Sequence, residues 1–162
     1  MSFIPDTINE TTAGGYFKPV KGKPNKVRII SDKPVVGWVQ WTAEGRPARF
    51  INLADKPDVE YQDGTKPKRF LAMAVYSYEL GQVQVWEMTQ KTMIEQLNSI
   101  STDSDFGHPN NYDLKVNRTG EGLDTSYTLI PVVTDLQPEV MEAMQNPGVD
   151  LHKLFLGEDP FE

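Results

Sequence analysis

The 162-residue sequence predicts an all-β protein with minor α. Three observations carry the prediction. Polar and apolar residues alternate in several short runs, the period of a half-buried strand. Glycine and proline, 12 of each, punctuate those runs. Helical spacing of apolar residues occurs in only two places, around residues 90–100 and 138–145.

Residues 1–15 are polar, end in Thr11-Thr12-Ala13-Gly14-Gly15, and are expected to form a flexible arm. Lys18 to Pro24 is basic and broken by proline and glycine. Lys26-Val27-Arg28-Ile29-Ile30 then alternates as a strand, Asp32-Lys33-Pro34 bends it, and Val35 to Trp41 continues it, with Gly37 at a bulge position. Residues 42–68 carry Gly45, Pro47, Pro57, Gly64 and Pro67 and read as a long loop with a short strand at Arg49–Leu53. Arg69 to Tyr78 is the strongest strand signal. Glu79-Leu80-Gly81 turns it into a hairpin partner, Gln82 to Met88. Thr89 is an N-cap candidate for a helix over Gln90–Ile100, where Met93, Ile94, Leu97 and Ile100 share one side. After a polar loop, Tyr112–Arg118 and Ser126–Val133 alternate as strands around the turn Thr119–Gly122. Pro138 opens a short C-terminal helix.

Long bent strand, strand, strand, helix, strand, strand is the order of the OB-fold, a five-stranded Greek-key barrel. The expected barrel spans residues 16–133, with its helix between the third and fourth strands. An acidic helix and tail follow over 134–162. Such barrels bind oligonucleotides on the second and third strands and between two loops, here residues 42–68 and 119–125.

Composition bounds the chemistry. The chain lacks cysteine, which excludes disulfides and thiolate metal sites. No apolar run is long enough to cross a bilayer, and Met1–Glu10 lacks the charge and apolar stretch of a secretory signal, so a cytoplasmic setting is expected. The net charge of −7 hides a segregation. Tyr16–Arg69 holds 12 Lys/Arg against 6 Asp/Glu, whereas Met93–Glu162 holds 3 against 13. A ligand feels the local potential, so the acidic total does not exclude nucleic acid.

Several residues are candidates for contact with a single strand. Phe70, Tyr76 and Tyr78 share a strand face with Ala72 and Ala74, and Trp86 is expected outside on the partner strand, with Val83 and Val85 inside. These aromatics either stack bases or fill a tight barrel core. Trp38 and Trp41 flank the long loop, and Phe50 and Tyr61 lie within it. Phosphates would be met by Lys26, Arg28, Lys33, Arg46, Arg49, Lys66, Lys68, Arg69 and Arg118. Catalytic signals are weak. His108 and His152 are isolated, no phosphate loop occurs, and Asp113 and Asp124, a candidate metal pair on adjacent strands, sit at strand ends, where Asp is more often a turn former. No enzyme activity, metal or cofactor is expected.

Lys26-Val27-Arg28-Ile29-Ile30, Arg69–Tyr76, Val83–Gln90, Tyr112-Asp113-Leu114 and, above all, Arg118-Thr119-Gly120-Glu121-Gly122-Leu123-Asp124-Thr125 resemble the single-stranded DNA-binding proteins of tailed bacteriophages. The resemblance covers roughly residues 26–133. The tip Glu158-Asp159-Pro160-Phe161-Glu162 is similar to the acidic tips of single-stranded DNA-binding proteins generally. The resemblance implies an OB-fold, cooperative coating of single-stranded DNA in a host-cell cytoplasm, and recruitment of replication or recombination proteins through Glu158, Asp159, Pro160 and Phe161. Some relatives carry a zinc subdomain built from cysteine and histidine, for which this chain has no cysteine. The alternative is a phage structural or adaptor protein that uses such a barrel for protein contacts. The tail is expected to swing freely on Gly157 and to compete with DNA for the basic groove.

Overall fold

The computed structural model describes residues 15–41, 47–51, 66–156 and 158–161. The described residues are mostly β with a few helices. Seven strands form one open antiparallel sheet: β1 (Asn25–Ile29), β2 (Val35–Trp41), β3 (Pro47–Ile51), β4 (Lys68–Ser77), β5 (Gln82–Met88), β6 (Asp113–Thr119) and β7 (Ser126–Val132). The helices are α1 (Lys91–Thr102) and α2 (Pro138–Gln145). The order across the sheet is β3-β2-β4-β1-β6-β7, with β5 on the other edge of β4. Among the described residues, no helix is long and apolar enough to cross a membrane.

Strand β4 is the hub. Its first half pairs with β2 and its second half with β1, along the same edge, while β5 takes the opposite edge. The expected long bent strand is therefore β1 and β2 together, and the expected strand inside the long loop is β3. Gly37 forms no bulge; it pairs regularly with Ile51 and Phe70. It is glycine for space, since a Cβ would overlap the Phe50 carbonyl and come within 3.1 Å of the Phe70 ring.

Each face of the sheet has its own core. Val27, Ile29, Met73, Val75, Trp86, Met88, Leu114 and Val116 pack on one face under Met93 and Leu97 of α1. The opposite face holds Ile30, Phe70, Ala72, Ala74 and Val85, and the C-terminal chain covers it. Val140 and Ala143 of α2 lie on Ile30 and Ala74, and Leu154 of a 3-10 helix (Leu151–Leu156) lies on Phe70, Ala72 and Val85. The hairpin corrects one expectation. Ser77 pairs with Gln82, so Met73 faces Trp86 and Ala74 faces Val85. Trp86 is thus in the α1 core, edge-on to Phe17 at 5.1 Å, and not outside. The number of residues in the turn sets this register, and a one-residue difference inverts every side chain.

The expected barrel does not close: no ladder joins β5 to β7 among the described residues. The two edges that closure would join are occupied by other groups. On β5, the Val85 amide donates to the Gly15 carbonyl at 2.9 Å and the Phe17 amide donates to the Val85 carbonyl at 2.8 Å. Gly15 therefore belongs to the folded unit and not to the arm, whose residues 1–14 lie outside the described residues. On β7, the side chain of Gln96 stands in for a strand: its amide donates to the Tyr127 carbonyl at 2.8 Å and its oxygen accepts the Leu129 amide at 2.9 Å. Helix α1 starts one residue later than expected, with Gln90 and not Thr89 at the N-cap and no side-chain capping bond.

Replacing Gln96 by Ala removes both edge bonds at once. The expected cost is about 1–3 kcal/mol of stability, read as an earlier urea midpoint. An unchanged midpoint would show that water serves the β7 edge equally well.

Candidate nucleic-acid interface

The sequence-predicted contact residues divide into three groups. The first is interior. Arg28 and Asp113, cross-sheet neighbours on β1 and β6, have side chains only 2% and 1% exposed. Arg28 Nε donates to Asp113 Oδ1 at 2.7 Å, and Arg28 Nη2 donates to both the carbonyl and the hydroxyl of Thr134 at 3.0 Å. Tyr78 donates its hydroxyl to Asp113 Oδ1 at 2.6 Å, and Thr134 donates to Oδ2. Lys26 Nζ is 3.4 Å from Oδ2 and sits 4.8 Å from the centre of the Tyr78 ring. Burial alone pushes the Asp113 carboxyl up, but the hydrogen bonds of Thr134, Tyr78 and Arg28 and the Arg28 charge outweigh it, so its pKa is lowered. Burial and the Asp113 bond push the Tyr78 hydroxyl up. Arg28 is therefore committed to the interior and does not reach a phosphate. Asp113 is likewise spent. Asp124 lies beyond the far end of β6, in a 3-10 turn (Gly122–Asp124), so the two carboxylates do not share a metal site.

A second group lies under the C-terminal chain. Phe70 is fully buried, with the Phe155 ring 5.7 Å away. Tyr76 and Tyr78 are half-buried, edge to face at 5.4 Å, and pack with Ile30, Ala74, Val140 and Ala143. The aromatic face of β4 is thus a second core and not an open platform. Arg49 reaches across this side to Glu87, with Nε–Oε1 at 2.9 Å and Nη2–Oε2 at 2.7 Å. Burial alone would lower the Arg49 pKa, but the bond to Glu87 and its charge raise it. The tail tip is docked as well. The Asp150 amide donates to the Pro160 carbonyl at 2.8 Å, Pro160 is buried, and Phe161 packs beside Phe70 and Leu154. Glu158 and Asp159 remain exposed. Gly157, the expected swivel, lies outside the described residues.

The third group remains at the surface. In the register of the sheet Trp38 lies opposite Phe50 on β3 and opposite Arg69 on β4. Directly opposed residues share a face, so Phe50, Trp38 and Arg69 form a row across three adjacent strands. The Arg69 guanidinium sits 6.0 Å from the centre of the Trp38 ring. Phe50 and Trp38 are half-buried, and Arg69 is exposed. Val36 and Leu71 extend the row by one rung, and Val36 is an exposed large apolar side chain. Lys66 and Lys68 are exposed at the start of β4, and Lys33 is exposed on the bend before β2. Arg118 is half-buried on β6 with its Nε unbonded among the described residues. Arg46, Tyr61 and the side chain of Trp41 lie outside the described residues. The row depends on β3, which the sequence marked only as a short strand within a long loop.

Among the described residues no three His, Asp or Glu side chains gather as a metal site. The sequence matches no protein-family profile and no curated protein, and the fold matches no solved structure.

Two measurements test these assignments. Asp113→Ala leaves Arg28 buried without its partner and is expected to cost about 3–5 kcal/mol. Because the Asp113 pKa is lower folded than unfolded, its contribution is complete above the unfolded value and disappears as pH falls through the folded one. A urea titration from pH 7 to pH 2 should therefore show a stability loss in wild type that Asp113→Ala lacks. For the tail, Phe161→Ala should free the tip, read as faster hydrogen exchange at the Asp150 amide. Unchanged protection there would mean that Pro160 alone anchors it.

Proposed function

We propose that the chain binds single-stranded DNA without catalysis, through the Phe50–Trp38–Arg69 row. That row is the observation that carries the reading. It brings two aromatic side chains and a guanidinium together on one face of adjacent strands, with Lys33 and Lys66 exposed near the ends of those strands, whereas Lys68, in register with the buried Val39, lies on the opposite face and is not part of the row. Base–aromatic stacking and a basic margin are the two requirements for holding a single strand, and neither demands a particular sequence. The order of elements supports an OB-type origin. β1 with β2 forms one long strand, β4 and β5 form the central hairpin, α1 follows, and β6 pairs back to β1. OB barrels are partly open, and here Gln96 and Gly15 occupy the two edges that closure would join. The docked tip Glu158-Asp159-Pro160-Phe161 serves replication or recombination proteins once it lifts from the sheet, and its carboxylates compete with DNA at low salt.

Titration of tryptophan fluorescence with oligo-dT tests the reading. Trp38→Ala is expected to weaken binding by about 1–3 kcal/mol, whereas Trp86→Phe, a buried change, leaves it nearly intact. Arg69→Ala and Lys66→Ala should each flatten the log–log salt dependence by about 0.7, whereas Lys68→Ala, on the opposite face, should leave it nearly unchanged. If oligo-dT fails to bind at low salt, or binds Trp38→Ala as tightly as wild type, the row is not the interface. Parallel titrations with duplex DNA and RNA fix the preferred nucleic acid.

A further inference from the structure

The sheet opens where β1 passes into β2. Ile29 faces Val75 on β4, and Val35 faces Ala72. Six residues advance on one side against three on the other, so a surplus of three, Asp32 to Pro34, is pushed out of the ladder. Ser31 fills part of the gap by accepting the Ala74 amide on Oγ at 2.7 Å. His108 braces the bend from outside. Its Nε2 donates to the Asp32 carbonyl at 2.7 Å, and its Nδ1 accepts the Asn110 amide at 3.1 Å. With this pair of bonds Nε2 carries the donated hydrogen and Nδ1 is the acceptor.

Between the bend, β4 and α1 lies a groove of about 650 Å³. Its floor is apolar: Ile29, Leu71, Met73, Ile94 and Leu97. Two carboxylates stand on its rim, Asp32 on the bend and Glu95 on the helix, and no Lys or Arg among the described residues lines it. The Asp32 side chain is 89% exposed, so its charge is available to an incoming group.

We propose that this groove docks a peptide segment of a partner protein that inserts two or three aliphatic or aromatic side chains and carries Lys or Arg beside them. The volume lies within the usual range for a bound ligand and exceeds one side chain. Apolar walls between two carboxylates focus a negative potential, which attracts a cation and repels phosphate. Nucleic acid is therefore the wrong class of occupant here, although Leu71 joins the groove to the neighbouring row. The polar rim groups Ser31, Asn98 and Ser101 supply hydrogen-bonding partners for a peptide backbone. The proposal stands apart from the DNA-binding reading, because it uses a different part of the same face and the opposite charge.

The test is selection of a random twelve-residue peptide library, displayed on phage, against the full chain. Enriched peptides are then synthesised with a fluorescein label and titrated. They are expected to combine Leu, Ile, Met or Phe with Lys or Arg. Asn98→Trp, at an exposed helix position, fills the groove without altering charge and should abolish their binding. Asp32→Lys and Glu95→Lys, both at exposed positions, should each weaken it about fivefold. Thermal melting checks that the variants remain folded, and oligo-dT affinity should stay within about twofold for Asn98→Trp. The proposal is overturned if no enriched peptide loses binding on Asn98→Trp, if the enriched peptides are acidic or uncharged, or if Asn98→Trp weakens DNA as much as peptide. The last would make the groove part of the DNA track. A change in sedimentation of the chain alone on Asn98→Trp would replace the partner with a second copy and overturn it equally.

Discussion

The ion pair of Arg28 and Asp113 is the constraint on which the rest of this structure depends. Two charges withdrawn from water cost several kcal/mol each unless their remaining donors and acceptors are satisfied. Here the carboxylate receives Arg28, Tyr78 and Thr134 and has Lys26 close by, while the guanidinium reaches on to the Thr134 carbonyl. Thr134 lies two residues past the end of β7. The pair thus ties β1 to β6 and also fixes where the chain leaves the sheet and turns onto its second face. From that point α2 places Val140 and Ala143 on Ile30 and Ala74, and the Leu151–Leu156 helix places Leu154 and Phe155 on Phe70. A hydrophobic pair in the same place would hold the strands together, but it would not direct a hydrogen-bonded chain exit.

That cover decides which surface is left for function. One face of the sheet is closed by α1 and the other by α2 and the tail. Among the described residues, the β3–β2–β4 wing carries the half-buried Phe50 and Trp38 and the exposed Arg69 on the α1 face. The same openness that leaves the wing bare is maintained at the far side. Gln96 saturates the outer bonds of Tyr127 and Leu129, and Pro131, two residues on, has no amide to offer at that edge. An edge so guarded resists pairing with another chain.

Much of this was legible in the residues, and the failures have a common cause. The hairpin β4–β5 and helix α1 follow from local periodicity, and Pro138 marks the start of α2 as expected. Arg28 looked like the outward-facing member of an alternating strand. Its burial is decided by Asp113 and Thr134, 85 and 106 residues away, which no local pattern reveals. Phe70, Tyr76 and Tyr78 were equally ambiguous: a strand face of aromatics and alanines suits stacked bases or a packed helix. Phe70 is covered by Val149, Leu151, Leu154, Phe155 and Phe161, in a segment without helical or strand periodicity, whereas Tyr76 and Tyr78 are covered by Val140 and Ala143 of α2, whose docking site no local pattern reveals. The Phe50–Trp38–Arg69 row was visible residue by residue, yet its alignment needed the β2–β3 and β2–β4 registers.

The chain order of the second core has a consequence for biosynthesis. Phe70, Ala72, Ala74 and Val85 all precede residue 90, whereas the residues that shield them begin at Val140. A ribosome adding roughly 5–20 residues per second reaches the last of that shield a few seconds after β7 is made. Until that shield has emerged, the assembling sheet displays an oily strip of phenylalanine, valine and alanine to the cell. The final segment therefore works as the closing step of folding, and stalled or prematurely terminated chains would be the species most prone to clump or to be seized by chaperones.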